Sequence, residues 1–367
     1  MITIHKPFDL PFTYPLERIG KLEEILFFDI ETTGFSGDYS SLYLIGCTFF
    51  CDRQWRLVQW FADTAESEEE LLHSFFSFLK NFRILLHFNG DGFDIPYLKK
   101  RCARFGLSYD FSGITSIDIY RRIKPYRRLL GLASLKQKAI ESFLGISRMD
   151  TLSGGELIPI YEKYLSTRSR RLYDLLILHN EDDLKGMPAI LPILSYPDFL
   201  EHPFRFIRQD IRQTYDPSGV PRQLLELTCQ SDYPIPVPFH TQKSLVQCQA
   251  QGNQFSIFIE LYEGTLKHYY PNYQDYYYLP IEDTAIHKSI GEYVDKKARV
   301  KATAKTCYTK KEGCFLPQFS PIWEPAMKKE PKDKLTYVSL SDIDLTEEEC
   351  FSSYIAQLLQ YLCSASV

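Results

Sequence analysis

The run "EEILFFDIETTGFSG" at residues 23–37 places Asp29 and Glu31 at the end of a stretch that is otherwise apolar. Ile25, Leu26, Phe27, Phe28 and Ile30 read as a buried strand. Successive strand side chains point to opposite faces, so the two acids share one face about 7 Å apart. Bare carboxylates against such residues cost several kcal/mol each unless neutralised. A divalent cation is the simplest neutralising partner, and oxygen-only ligands favour magnesium or manganese over zinc. The carboxyl end of a strand is also where open α/β sheets build their sites.

The surrounding pattern predicts an α/β domain. Residues 25–31, "SLYLIGCTFF" (41–50) and "QWRLVQWF" (54–61) predict a three-strand meander. Ser67 with Glu70 predicts a capping box that opens a helix burying Leu71, Leu72, Phe75, Phe76 and Leu79. "RILLHF" (83–88) predicts a strand covered on both faces. A helix over 95–105 closed by Gly106, a strand at 114–120, and helices beginning near Ser134, Glu156 and Ser169 complete a mixed sheet flanked by helices. Prolines between 188 and 203 mark its end, giving one domain over 1–203 and a smaller α+β domain over 205–367. In the second, 255–270 reads as hairpin-like, 282–302 as a helix, and Thr346 with Glu349 as the capping box of a last helix. At 367 residues, 44% of them hydrophobic, the chain can build two cores.

Composition narrows the function. The formal net charge is -5, so any affinity for nucleic acid has to come from a local basic patch. Nine cysteines, with no CxxC pair, argue against a zinc module and for free thiols in a cytoplasmic setting. The N-terminus lacks a leader pattern, and no window reaches about 18 uninterrupted apolar residues, so no membrane association is expected. Oligomeric state is left open.

Two further segments carry acids. In "FNGDGFDIPYL" (88–98), Asp94 precedes Pro96, and by itself reads as an ordinary helix start. In "LLILHNEDDLKGM" (175–187), His179 and Asp183 stand at i and i+4 on one helix face, while Asp182 points elsewhere. Taken singly, each is commonplace. Together, "FDIETTG", "NGDGFD" and "HNEDD" resemble, in that order, the three motifs of the DEDD branch of the ribonuclease H-like exonucleases, the superfamily of polymerase proofreading domains and several RNA-trimming enzymes. The resemblance covers residues 22 to about 190 and is greatest to the bacterial YprB-like branch, with 134–150 and 153–165 similar to that branch's connection. One departure stands out: histidine occupies the spacing at which relatives carry tyrosine, which leaves the identity of the base open.

That resemblance implies a ribonuclease H-like fold and two-metal, 3′-to-5′ hydrolysis of DNA or RNA, from a single strand or 3′ end. Asp29, Glu31, Asp94 and Asp183 would hold two Mg2+ or Mn2+ ions, and His179 would orient or deprotonate water. Thr32, Gly34 and Asn89 are expected at the substrate. Two other classes compete: a glycoside hydrolase, which needs only one acid pair, and a catalytically idle fold kept for binding nucleic acid or serving as a scaffold. Asp118 reads as structural, a hydrogen-bonding partner of helix termini, and the basic run at 120–131 as a solvated face, with phosphate contact the lesser reading. The tyrosines of 268–280 and the lysines of 287–311 interleave as a single-strand platform would. Tyrosines pack hairpins just as well, and Tyr277 lies on the opposite face from Tyr276 and Tyr278, so ordinary packing is the leading reading and the resemblance supplies no role for this domain.

Overall fold

The computed structural model describes residues 1–9, 13–146, 154–215 and 218–364. Residues 147–153, at the join of the connecting segments singled out above, lie outside the described set. The chain packs as two compact units, Met1–Arg127 with Leu132–Asp198 and Arg128–Gly131 with Phe199–Val367.

In the first unit the strands are β1 (Ile2–Pro7), β2 (Ile25–Thr32), β3 (Leu42–Cys51), β4 (Gln54–Phe61), β5 (Ile84–His87) and β6 (Thr115–Asp118). The helices are α1 (Glu68–Leu79), α2 (Asp94–Arg104), α3 (Ile119–Ile123), α4 (Gln137–Phe143), α5 (Gly154–Thr167) and α6 (Arg170–Ile190). The sheet runs β1-β4-β3-β2-β5-β6, antiparallel from β1 to β2 and parallel from β2 to β6. Asp52 and Arg53 close the β3–β4 hairpin, both with positive φ, as a tight two-residue turn requires. α1 buries Leu71, Leu72, Phe75, Phe76 and Leu79 against the sheet, so the apolar spacing read from sequence is the face that packs.

Three local expectations need correction. Ser67 stands at the N-cap position of α1 but makes no capping bond; its hydroxyl donates to Asp63 instead. Thr346 likewise donates to Asp344. Ser67 ends a short 3-10 turn with helical backbone angles, and the N-cap of α9 falls on Glu347, so neither hydroxyl stands where a capping residue accepts from the first helix N–H groups. Strand β1 has no counterpart in the sequence reading: its alternation of half-exposed and exposed residues is that of a weakly patterned edge.

The second unit follows α7 (Ser195–Glu201), within which the division of the chain falls. Its elements are β7 (Arg205–Tyr215), β8 (Pro221–Gln230), β9 (Phe239–Lys243), β10 (Val246–Gln251), β11 (Gln254–Glu260), β12 (Tyr262–Tyr269), β13 (Tyr276–Leu279), β14 (Thr284–His287), α8 (Lys288–Gly291), β15 (Val300–Lys301), β16 (Tyr308–Gln318), β17 (Thr336–Ser339) and α9 (Glu348–Cys363). Among the described residues they form sheets ordered β7-β8-β11-β10-β9, β12-β16-β17 and β14-β13-β15. Residues 255–270 are therefore not a hairpin, because β11 and β12 join different sheets. The helix expected over 282–302 is instead β14, the single turn α8 and β15. That segment has no apolar stripe to bury, and Ile290 is 65% exposed.

All nine cysteines are unbridged, and no described helix is long and apolar enough to cross a membrane. Below the sheet's carboxyl edge, a buried ion pair fixes the loop after β2. Arg101 of α2 donates through Nε and Nη2 to the Glu68 carboxylate at 2.5 and 2.7 Å, and through Nη1 to Gly37 O at 2.9 Å. Glu68 also accepts from the Leu42 N–H at 3.0 Å. Removing one partner leaves a buried charge alone, so Arg101→Met should destabilise the protein by about 3 to 5 kcal/mol. Urea denaturation checks this, and a loss below about 1 kcal/mol would show that the pair is better hydrated than its burial indicates.

Candidate active site

β2 is paired to β5 only from Ile25↔Ile84 to Phe27↔Leu86, while its pairing with β3 continues to Thr32. The last residues of β2 therefore overhang β5, and Asp29 and Glu31 occupy that overhang. The opposite wall is α6, which brings His179, Asn180 and Asp183. The Nε2 of His179 lies 3.7 Å from Glu31 Oε1 and 3.3 Å from Asp183 Oδ2. Ligand atoms of Glu31, His179 and Asp183 all fall within 4.8 Å of one another. Asp94, the first residue of α2, is buried at the same place, where its own backbone and that of Ile30 favour its ionised form.

The electrostatics follow from crowding like charges in a poorly solvated cleft. Burial, then Glu31, Asp183 and Asp94, push the Asp29 carboxyl well above its ordinary range. Burial, Asp183 and Asp94 do the same to Glu31. The Tyr43 hydroxyl beside it favours the ionised form, though no hydrogen bond of standard geometry joins the two. Burial raises Asp94 to about 7. Carboxylate oxygens with one imidazole suit a hard divalent cation such as magnesium or manganese, and a cation there would relieve the repulsion that raises these groups. The donor set thus fits the metal chemistry expected from sequence.

A further device was not legible in sequence. Asp29, Gly46 and Gln59 lie directly opposite one another across β2, β3 and β4. Asn180 reaches down between them: its Nδ2 donates to Asp29 Oδ2 at 2.9 Å, and its Oδ1 accepts from Gln59 Nε2 at 2.9 Å. Gln59 Nε2 also donates to Ile177 O at 3.1 Å. Only glycine leaves room, since a Cβ at position 46 would stand 2.0 Å from Asn180 Oδ1 and 2.6 Å from Leu184 Cδ1. The signal that could have found it is a lone glycine inside an apolar strand.

Thr32 is the last residue of β2, and Gly34 and Asn89 lie in the loops that follow β2 and β5. Thr32 Oγ1 donates to Gly34 O at 2.9 Å, just past a register shift at Glu31/Thr32. A Cβ at Gly34 would come within 3.1 Å of Ser40, so the tight approach shown there is to its own loop. Asn89 has φ of 63°, and its N–H donates to Asp118 Oδ1 at 2.9 Å. Asp118 also accepts from the N–H groups of Asp91 and Tyr120, capping α3 and holding the turn that delivers Asp94. Asp183, rather than Asp182, is the α6 carboxylate that acts on Asp29 and Glu31. Arg121 of the basic run pairs with Asp91 at 2.9 Å.

Residues 26–194 match the RNase_H_2 model of the RNase_H superfamily. The fold is ribonuclease H-like. Similar curated proteins include the DNA polymerase of Thermococcus kodakarensis, 29% identical over 120 residues, covering 28% of this chain and 7% of that protein. DNA polymerase 1 of Sulfurisphaera ohwakuensis is 28% identical over 120 residues, covering 24% of this chain and 14% of its own length. The alignments thus span a small part of these polymerases. Among solved structures, the family B DNA polymerase of Pyrobaculum calidifontis aligns with TM-score 0.38 and 12% identity over 66% of this chain and 33% of its own. Exonuclease I of E. coli in complex with a dA16 oligonucleotide aligns with TM-score 0.27 and 13% identity over 56% and 54%.

Two outcomes follow from this ribonuclease H-like site. Gly46→Ala should destabilise the protein by about 1 to 3 kcal/mol through overpacking. The double variant with Asn180→Ala should lose less than the sum of the singles, because the clash partner is gone; strict additivity in urea denaturation would place Asn180 elsewhere. For Asp94, the folded carboxyl at about 7 against 3.8 unfolded means the folded state binds the extra proton between those values. Stability from this group is greatest below about 4 and falls as pH rises to about 7. In EDTA, that decline should be shallower in Asp94→Asn than in wild type, the remainder coming from Asp29 and Glu31, whose carboxyls are raised as well.

Proposed function

We propose that this protein is a divalent-metal-dependent 3′-to-5′ exonuclease hydrolysing phosphodiester bonds of DNA or RNA. The observation that carries the reading is the convergence of Asp29, Glu31, Asp94 and Asp183 from a strand, a turn and a distant helix, with Asp29 and Glu31 driven out of their ordinary range by burial and then by that crowding. A structural role does not call for four acids that destabilise one another. The alignments with DNA polymerases support the reading, since these are enzymes in which the sequence resemblance places proofreading domains.

In this proposal Asp29, Glu31, Asp94 and Asp183 would hold two magnesium or manganese ions. Bound there, the ions supply Lewis acidity toward the phosphodiester and lower the pKa of water. The chain's own residues do the rest. Asn180 holds Asp29 in one rotamer by its hydrogen bond. His179, close to Glu31 and Asp183, orients the attacking water or takes its proton. Thr32, Gly34 and Asn89 line the approach of the terminal nucleotide of a single strand or 3′ end. The proposal extends to the YprB-like branch, to a reducing cytoplasm for the nine thiols, and to chemistry carried by residues 1–203 with 205–367 accessory.

Timed digestion of 5′-labelled DNA and RNA oligonucleotides with Mg2+ or Mn2+ should give a ladder shortening from the 3′ end. Asp29→Ala and Glu31→Ala should abolish it while leaving melting temperature unchanged or raised, because each removes a repelling acid. Undiminished digestion by both variants would end the reading. His179→Ala should lower turnover by about a hundred- to ten-thousand-fold, with metal affinity by calorimetry nearly unchanged. A large loss of metal affinity would make the imidazole a ligand instead.

A further inference from the structure

The second unit carries a feature that the chemistry above leaves unused. Residues 284–311 hold eight lysines and arginines against two acids, in a chain whose net charge is -5. Lys310 and Lys311 are matched, with Asp283 and Asp342. Lys296, Lys297, Lys301 and Lys305 are exposed and have no acidic partner among the described residues. Four unmatched cations within ten residues repel one another, an arrangement a plain solvated face gains nothing from.

The small sheet β14-β13-β15 organises these charges. One face of β13 is spent on packing: Tyr276 stacks on Tyr270 at 4.7 Å, and Tyr278 donates to Asp283, around a small core of Ala285, Ala302 and Cys307. Tyr277 faces the other way. There the Arg299 guanidinium lies 4.4 Å from its ring centroid and the Lys288 ammonium 5.9 Å, while Lys301 is directly opposite in register. The ring is seated by α8, where a Cβ on Gly291 would come within 2.6 Å of Tyr277 Cδ2. Cations from α8, the following loop and β15 are thus gathered on one face. The loop that joins them carries Tyr293, 92% exposed, next to Ile290, 65% exposed.

We propose that this face, with Tyr293 as a stacking ring and Lys296, Lys297 and Lys301 as phosphate contacts, is a docking surface for single-stranded nucleic acid. The inference deepens the nuclease reading and rests on it for the identity of the polyanion. An exposed aromatic ring among lysines suits unpaired bases, which present a π-face that a duplex hides. An anionic membrane fits less well, because α8 is a single turn and offers no continuous apolar helix face to insert.

The test is fluorescence anisotropy of the full chain with a labelled oligothymidylate of about twenty nucleotides in EDTA, where binding is read without cleavage. The triple variant Lys296→Glu/Lys297→Glu/Lys301→Glu should bind at least about tenfold more weakly, with the slope of log affinity against log salt reduced by about 2. Tyr293→Ala should weaken binding by about fivefold to 150-fold, the worth of one stacked base. Cleavage of a dinucleotide, whose single phosphodiester is taken by the active site, should be the same in all. Unchanged affinity and salt slope in variants whose circular dichroism matches wild type would overturn the proposal, even if dinucleotide cleavage is robust. Loss of affinity in the variants of a protein that cleaves nothing would uphold the surface and sink the nuclease reading. Sedimentation with phosphatidylserine vesicles in place of oligonucleotide binding would overturn the choice of partner.

Discussion

The carboxyl end of β2 is paired on one side only. The pairing with β5 ends at Leu86, and from there the edge of β2 facing it needs other partners. Asp94 stands at that edge, where the backbone at Ile30 favours its ionised form, so the residue that completes the acid cluster sits against the overhanging backbone. The difference in length between two neighbouring strands therefore creates the cleft, admits α2 to it and sets the acids facing α6. A longer β5 would pair the same backbone and close the site.

The acids placed there are in tension. Burial, and after it the neighbouring carboxylates, lift Asp29 and Glu31, and burial lifts Asp94. The surroundings contain this strain with neutral groups rather than counter-charges: Asn180 donates to Asp29, the backbone favours ionised Asp94, and Tyr43 stands beside Glu31. Full positive charges are used a layer away, where Arg101 and Glu68 hold the loop after β2. A lysine or arginine inside the cluster would neutralise it permanently, whereas dipoles leave its negative charge for a cation to meet.

Much of this was legible in sequence. Two acids in an apolar strand cannot be an accident of composition, and their common face follows from the pleat. The i, i+4 spacing of His179 and Asp183 fixed the helix phase and set Asp182 apart. Asp118 as a partner of helix termini could also be read, because it too ends an apolar strand. Gly46, Gln59 and Asn180 could not be linked, since their contact depends on β2, β3 and β4 lying side by side with α6 crossing them at one height. The hydroxyl caps misled because Ser67 already has helical backbone angles and the N-cap of α9 falls one residue after Thr346, on Glu347, and motif spacing fixes neither the backbone angles nor the exact first turn. The second unit was read less well, as β11 and β12 show: adjacency in sequence says nothing about which sheet a strand joins.

The slot over Gly46 has a mechanical consequence. It receives Asn180 and Leu184, successive turns of one face of a 21-residue helix, and it is too narrow for any neighbour with a Cβ beneath. It works as a keyway: α6 can enter the sheet at one setting only, and a slip by a single residue would swing His179 and Asp183 about 100° away from β2. Changes of length ahead of Asn180, in the turn between α5 and α6, can be absorbed without disturbing that setting. An insertion between Asn180 and Asp183 cannot, which makes those four positions the ruler against which the rest of the helix is measured.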